Sequence, residues 1–171
     1  MAGIQDFRTT PFSRPRVEAC GRFLGHRSYW KLYSIENYFR VILHSVLTVQ
    51  IGPKWLESSV DRDTKARIDR IKKDYLKRAI HGSPGRHDIY YLYLSDLTKI
   101  MAASRHLIEP VIFDVDSWII KMENVRIPRN LVGHMNFPSL ADRNRIDTLH
   151  GELTALLQKL ERQPGLRIVT P

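Results

Sequence analysis

Arg129 to His134 bring together, within six residues, a permanent cation, an amide (Asn130) and the one side-chain type that titrates near neutral pH. An arginine grips phosphate through its planar fork of donors, and an imidazole takes up and returns protons at neutral pH. Together they form a minimal kit for cutting RNA. The plainer reading is a solvated helix surface, because Arg and His at this separation also arise by chance. The elements that carry the two side chains decide between these readings.

Pro128 donates no backbone hydrogen bond and its ring crowds the preceding turn, so it begins a helix or kinks one directly before Arg129. On a regular α-helix, at about 100° per residue, Arg126, Asn130 and His134 line one face. Arg129 points roughly 140° away from His134 on that geometry. One undistorted helix therefore cannot aim both at a single phosphate. Distortion near Gly133, a neighbouring helix or a second copy of the chain must supply the missing face.

Around this segment the apolar spacing predicts helix almost throughout. From Ser28, residues Leu32, Ile35, Phe39, Ile42, Leu43, Val46 and Val49 recur on one face until Gly52-Pro53. A second helix is expected from about Pro53 to Ile80, with Leu56, Val60, Ile68, Ile71 and Tyr75 inward and the charges from Arg62 to Arg78 as a solvated coat. His81-Gly82-Ser83-Pro84-Gly85 breaks the chain, and 89–94 suits strand or helix equally. Helix resumes through Leu97, Ile100, Met101, Ser104 and Ile108 to Pro110, and again from Asp114 with Val115, Trp118, Ile119, Met122 and Val125. The last helix starts after Pro138 with Ser139 as N-cap, shows Ile146, Leu149, Leu153, Leu156, Leu157 and Leu160, and ends at Pro164-Gly165. The pattern predicts an all-α, up-and-down bundle of about five helices. Residues 1–27, with Pro11, Pro15, Gly21, Gly25 and five arginines, read as a basic, loosely ordered arm; 28–162 form the helical domain and 163–171 a tail.

A chain of 171 residues suits one core. Its 27 Lys+Arg against 18 Asp+Glu give a net charge of +9, which favours a polyanionic partner. Arg40, His44 and Gln50 interrupt the longest apolar run and the first residues lack an apolar signal core, so a soluble, cytoplasmic chain without a membrane partner is expected. Cys20, the single cysteine, has no partner for a disulfide or a metal. His26, His44, His81, His106 and His150 lack ligand spacing and are expected at the surface or core edge, so neither a metal nor a cofactor is expected. His87-Asp88 reads as a capping pair, and Glu36 with Arg40 as a rim ion pair or as polar contributors to a dimer cleft. Tyr90, Tyr91 and Tyr93 read as core packing, with base stacking as the alternative.

The Arg-Asn…His spacing, with YLYLSDLTKIM (91–101) ahead of FDVDSWIIKMENVRIPRNLVGHMN (113–136), resembles the HEPN superfamily of nucleotide-binding and RNA-cleaving domains, and within it the Swt1-like branch. The likeness covers roughly residues 28–162. It implies a four- or five-helix bundle that dimerises with both motifs at a shared cleft. It also implies metal-independent cleavage, in which the ribose 2′-hydroxyl attacks the adjacent phosphate and leaves a 2′,3′-cyclic phosphate. Arg129 would then bind the scissile phosphate, His134 would act as general base or acid, and Asn130 would orient the phosphate or the imidazole. Arg126 and Asn136 would be flanking RNA contacts. Many relatives are toxins or phage-defence effectors, so an antitoxin or immunity protein joins RNA and a second copy among the expected partners. Relatives controlled by adenylylation from a nucleotidyltransferase antitoxin often carry Tyr two residues after the His; here that position is Asn136. The alternatives are a non-catalytic module of the same superfamily that binds RNA, a nucleotide or a partner protein, and a structural helical interaction domain.

Overall fold

The helix expected from Ser28 starts well upstream of it. In the computed structural model, which describes residues 8, 13–78, 80, 82–163, 168 and 171, α1 (Arg14–Leu24) runs through a π-helical turn (Gly25–Tyr29) straight into α2 (Trp30–Ile51). From Arg14 onward the expected loose arm is therefore helical. Pro15 lies in the first turn, where a missing N–H leaves no helical bond unmade, and Gly25 takes ordinary helical angles (φ −56°, ψ −49°). Both residues mislead when read as breakers. The rest of that arm, 1–7 and 9–12 with Pro11, lies outside the described residues, as do His81 and the expected stop at Pro164-Gly165.

The second expected helix is two. α3 (Trp55–Ser59) ends where the Ser58 and Ser59 hydroxyls turn back onto the Trp55 carbonyl (2.9 and 2.8 Å), and Val60 and Asp61 are extended. Asp61 then caps α4 (Arg62–Lys77), its carboxylate accepting from the Thr64 N–H at 2.7 Å. Thr64 and Ile68 are the buried residues of α4; Tyr75 is exposed rather than inward. Residues 89–94 form no strand: a 3₁₀ turn (Asp88–Tyr91), entered through His87, whose Nδ1 accepts from the Ile89 N–H, is followed by extended Leu92 and Tyr93, and Leu94 already begins the next helix. The expected capping role of His87 is thus met.

α5 (Leu94–Ala103) is entered through Asp96, which accepts from the Tyr93 N–H at 2.7 Å and is ion-paired to Arg67 of α4. A one-turn α6 (Arg105–Ile108) follows. α7 (Val115–Gly133) is capped by Asp114, and α8 (Leu140–Glu161) by a reciprocal pair, Ser139 and Asp142, as the sequence predicts at Ser139. Pro128 neither begins nor ends α7. The helix runs through it because the carbonyl that its ring orphans belongs to Asn124, an exposed residue that water can serve.

α2 is the hub. It buries Leu32, Ile35, Phe39, Ile42, Leu43, Val46 and Leu47, and packs against α8, α5 and α6, while α7 packs on both α5 and α8. Met122, Val125 and Val132 of α7 meet Leu149 and Leu153 of α8 in one core. The chain is an all-α bundle, and among the described residues no helix is long and apolar enough to cross a membrane.

A charged cleft between the second and seventh helices

Val125, Pro128 and Val132 are buried at steps of three and four, which anchors the last turns of α7 and turns the polar residues between them outward. Arg129 leans back toward α2. Its Nε donates to Glu36 Oε2 at 3.2 Å and its Nη1 to Asn130 Oδ1 at 3.4 Å. Among the described residues Nη2 has no hydrogen-bond partner.

Glu36 is shared between two arginines. Its other oxygen, Oε1, accepts from Arg40 Nη2 at 2.5 Å, one turn further along α2. Arg40 is buried and also donates to the carbonyls of Ile89 (3.3 Å) and Leu92 (3.1 Å) and to Asn37 Oδ1 (3.2 Å). A guanidinium out of water needs its donors satisfied, and the 3₁₀ turn and the residue that follows it supply the carbonyls. The predicted Glu36–Arg40 pair exists; its link to Arg129 was missed. No local pattern signals it, since 93 residues separate the partners.

Arg129 stands between two clefts. One, of about 450 Å³, is lined by Tyr29, Tyr33, Glu36 and Arg40 from the π-helical turn and α2, by Arg129, Val132, Gly133 and Met135 from the end of α7 and the turn after it, and by Pro84 and Tyr90. The other, of about 490 Å³, lies toward α5 and is lined by Tyr93, Ser95, Glu123, Arg126, Arg129 and Asn130. Arg126 is exposed there, its Nε held by Glu123 at 2.8 Å. Three of the sequence-derived candidates, Arg126, Arg129 and Asn130, thus meet at one cleft.

His134 does not join them. It is exposed, stands at the C-cap of α7 and lines neither cleft. The chain leaves α7 by a Schellman turn, with the Asn136 N–H on the Leu131 carbonyl (2.9 Å) and the Met135 N–H on that of Val132 (2.9 Å). Met135 occupies the left-handed position at φ 59°, where glycine is usual. Asn136 completes the turn, its amide donating to the His134 carbonyl at 3.2 Å, so it helps shape the loop that carries the imidazole.

Two other histidines lie deeper than the sequence suggests. His44 is buried and accepts from Trp55 Nε1 at 3.2 Å, and its ring meets that of His87 edge to face at 4.6 Å. Burial holds both imidazoles below their ordinary pKa; charge interaction with His87 lowers His44 further, and Lys72 lowers His87 against an opposing pull from Asp88. With Trp55 the two rings form a packing cluster. Comparison of the chain with family models, curated proteins and solved structures returns no match.

Proposed function

We propose that this chain is a HEPN-like, metal-independent endoribonuclease that works as a cytoplasmic homodimer, a toxin or phage-defence effector held in check by an antitoxin or immunity protein. The observation that carries the reading is Arg129: a partly exposed guanidinium, aimed by Glu36 and Asn130, on the ridge between two clefts of a basic chain. A phosphate on that ridge would take the unpaired Nη2 and gain charge stabilisation as the phosphorane forms. A base withdraws the 2′-hydroxyl proton, the 2′-oxygen attacks phosphorus, and the bond to the 5′-oxygen breaks. The leaving oxygen takes a proton, giving a 2′,3′-cyclic phosphate and a 5′-hydroxyl. His134 is the candidate for that proton traffic, reached from the second subunit. Ile120 and Ile127, both exposed, lie seven residues apart on α7, so helix geometry continues their stripe toward His134. A two-fold contact along that stripe would carry each His134 to its partner's motif.

The test combines single-stranded RNA with purified chain in excess EDTA, then mixes inactive Arg129→Ala with inactive His134→Ala. Cleavage in EDTA and partial recovery in the mixture support the composite site. A monomer by sedimentation that cuts at full rate would remove the dimer. One observation favours a second reading: His134 lies outside the Arg129 clefts of its own chain, as suits a non-catalytic module that only binds RNA, a nucleotide or a partner protein. Tight RNA binding without cleavage would select that reading.

A further inference from the structure

The wall of the first cleft facing Arg129 carries two features the bundle does not need. Tyr29 and Tyr33 are 53% and 66% exposed, yet lie one turn apart on a face that runs from the π-helical turn into α2 and continues to Glu36, Asn37 and Arg40. Tyr29 ends the π-helical turn, an irregularity that recurs where helices are adapted to bind something. The same cleft is lined by Gly133, the last residue of α7. Its φ is not in the left-handed region, and a Cβ built there would meet nothing within 4 Å. Neither backbone conformation nor packing calls for glycine, which lowers helix stability relative to alanine. What its missing side chain does is leave room in the cleft.

Aromatic faces beside a phosphate-binding cation, in a cleft of about 450 Å³, match one nucleotide unit, since ligand pockets run to about 300–1,000 Å³. We infer that Tyr29, Tyr33 and Gly133 form a subsite for an unpaired nucleobase next to the phosphate held by Arg129, so that the chain selects single-stranded over duplex RNA. This rests on the ribonuclease reading for the phosphate and deepens it for the base. A base inside a duplex is stacked on both faces and cannot enter the cleft; an unpaired one stacks on any aromatic ring without sequence preference. A free mononucleotide offers the same chemistry from another source.

The experiment measures anisotropy of a short fluorescein-labelled oligonucleotide whose 2′-oxygens are methylated, alone and annealed to its complement. Methylation removes the attacking hydroxyl, so binding is read without cleavage. The single strand is expected to bind more tightly than the duplex, and Tyr33→Ala to weaken it about tenfold or more. Tyr33→Phe, which keeps the ring, retains binding. Gly133→Ala weakens binding while leaving Tm unchanged or higher, a pairing that a purely structural glycine would not produce. Equal affinity for strand and duplex, or indifference to both Tyr33→Ala and Gly133→Ala, overturns the inference. Adenosine monophosphate bound with the same Tyr33 dependence, without binding of the strand, also overturns it in favour of a free nucleotide. Unmethylated RNA separates the two levels. Tyrosine-dependent binding without cleavage leaves the subsite standing and ends the ribonuclease reading, and cleavage blind to Tyr33 and to pairing does the reverse.

Discussion

Glu36 holds the same kind of cation at each of its two oxygens, in opposite circumstances. On one side Arg40 is buried and bound to two backbone carbonyls and Asn37 as well as the carboxylate. On the other Arg129 is about one-third exposed, with one nitrogen unpartnered among the described residues and a cleft on either hand. The difference lies in what surrounds each guanidinium. Enclosed by acceptors, an arginine becomes part of the fold; left at a cleft edge, it keeps a donor for an incoming anion. Glu36 ties the two together, so the open side is positioned by the closed one.

The comparison breaks most visibly in activity. If the proposed ribonuclease reading holds, Arg129→Ala and His134→Ala each lower RNA cleavage by about 10² to 10⁴-fold, the usual cost of losing a charge stabiliser or a proton-transfer group. Thermal unfolding should barely move, because neither side chain is buried. A Tm loss as large as that from an Arg40 substitution would erase the distinction between the two sides.

On the closed side the effect is on stability. Glu36→Ala strands the Arg40 charge away from water and is expected to cost about 3 kcal/mol, at the lower end for breaking a buried pair because the carbonyls remain. For a chain of this size that lowers Tm by roughly 10 °C. Glu36→Gln, which keeps an acceptor, should fall between. Should Glu36→Ala melt like the wild type, Arg40 would not depend on the carboxylate and the coupling between the two sides would be unfounded.

What the sequence makes legible follows the range of the interaction. Stripes on α2, α7 and α8, the Ser139 cap and the i,i+4 Glu36–Arg40 pair are all local, and all can be read along one helix. Asp61 is a good N-cap residue type and is the local sign that the 53–80 helix divides, but a charge pattern running through it hides the break. Pro15 and Gly25 were over-read as breakers, since composition does not tell a proline in a first turn from one in an arm. The site divides the same way. The divergence of Arg129 and His134 follows from helix geometry, but the Glu36 contact depends on how α7 lies against α2, which no local spacing encodes.

Acid provides a smaller and more diffuse perturbation, centred on buried His44 and half-buried His87. His44 and His87 have folded pKa values below the ordinary 6.5, so between the folded and unfolded values the unfolded chain binds more protons. Their contribution to stability is therefore complete above about 6.5 and is lost as pH falls through that value toward the lower folded ones. Tm measured from neutral to mildly acidic buffer should decline. His87→Asn, which keeps a capping acceptor for the Ile89 N–H without a titrating ring, should flatten that decline. An unchanged slope would place the acid sensitivity elsewhere.

The smallest effect sits at the end of α7, where Met135 holds φ at 59° with its side chain 77% exposed. A left-handed residue with a Cβ costs about 1–2 kcal/mol, and the extra freedom of glycine in the unfolded chain takes back about 0.5–1 kcal/mol. Met135→Gly is thus expected to stabilise the fold by about 0.5–1 kcal/mol, roughly 2 °C in Tm. Met135→Asn, whose short polar side chain tolerates this region, should lie close behind. Both variants also take a methionine off the lining of the first cleft. A Tm that falls in both variants would mean that the exposed side chain packs after all, and that the turn carrying His134 is held by contact rather than kept under strain.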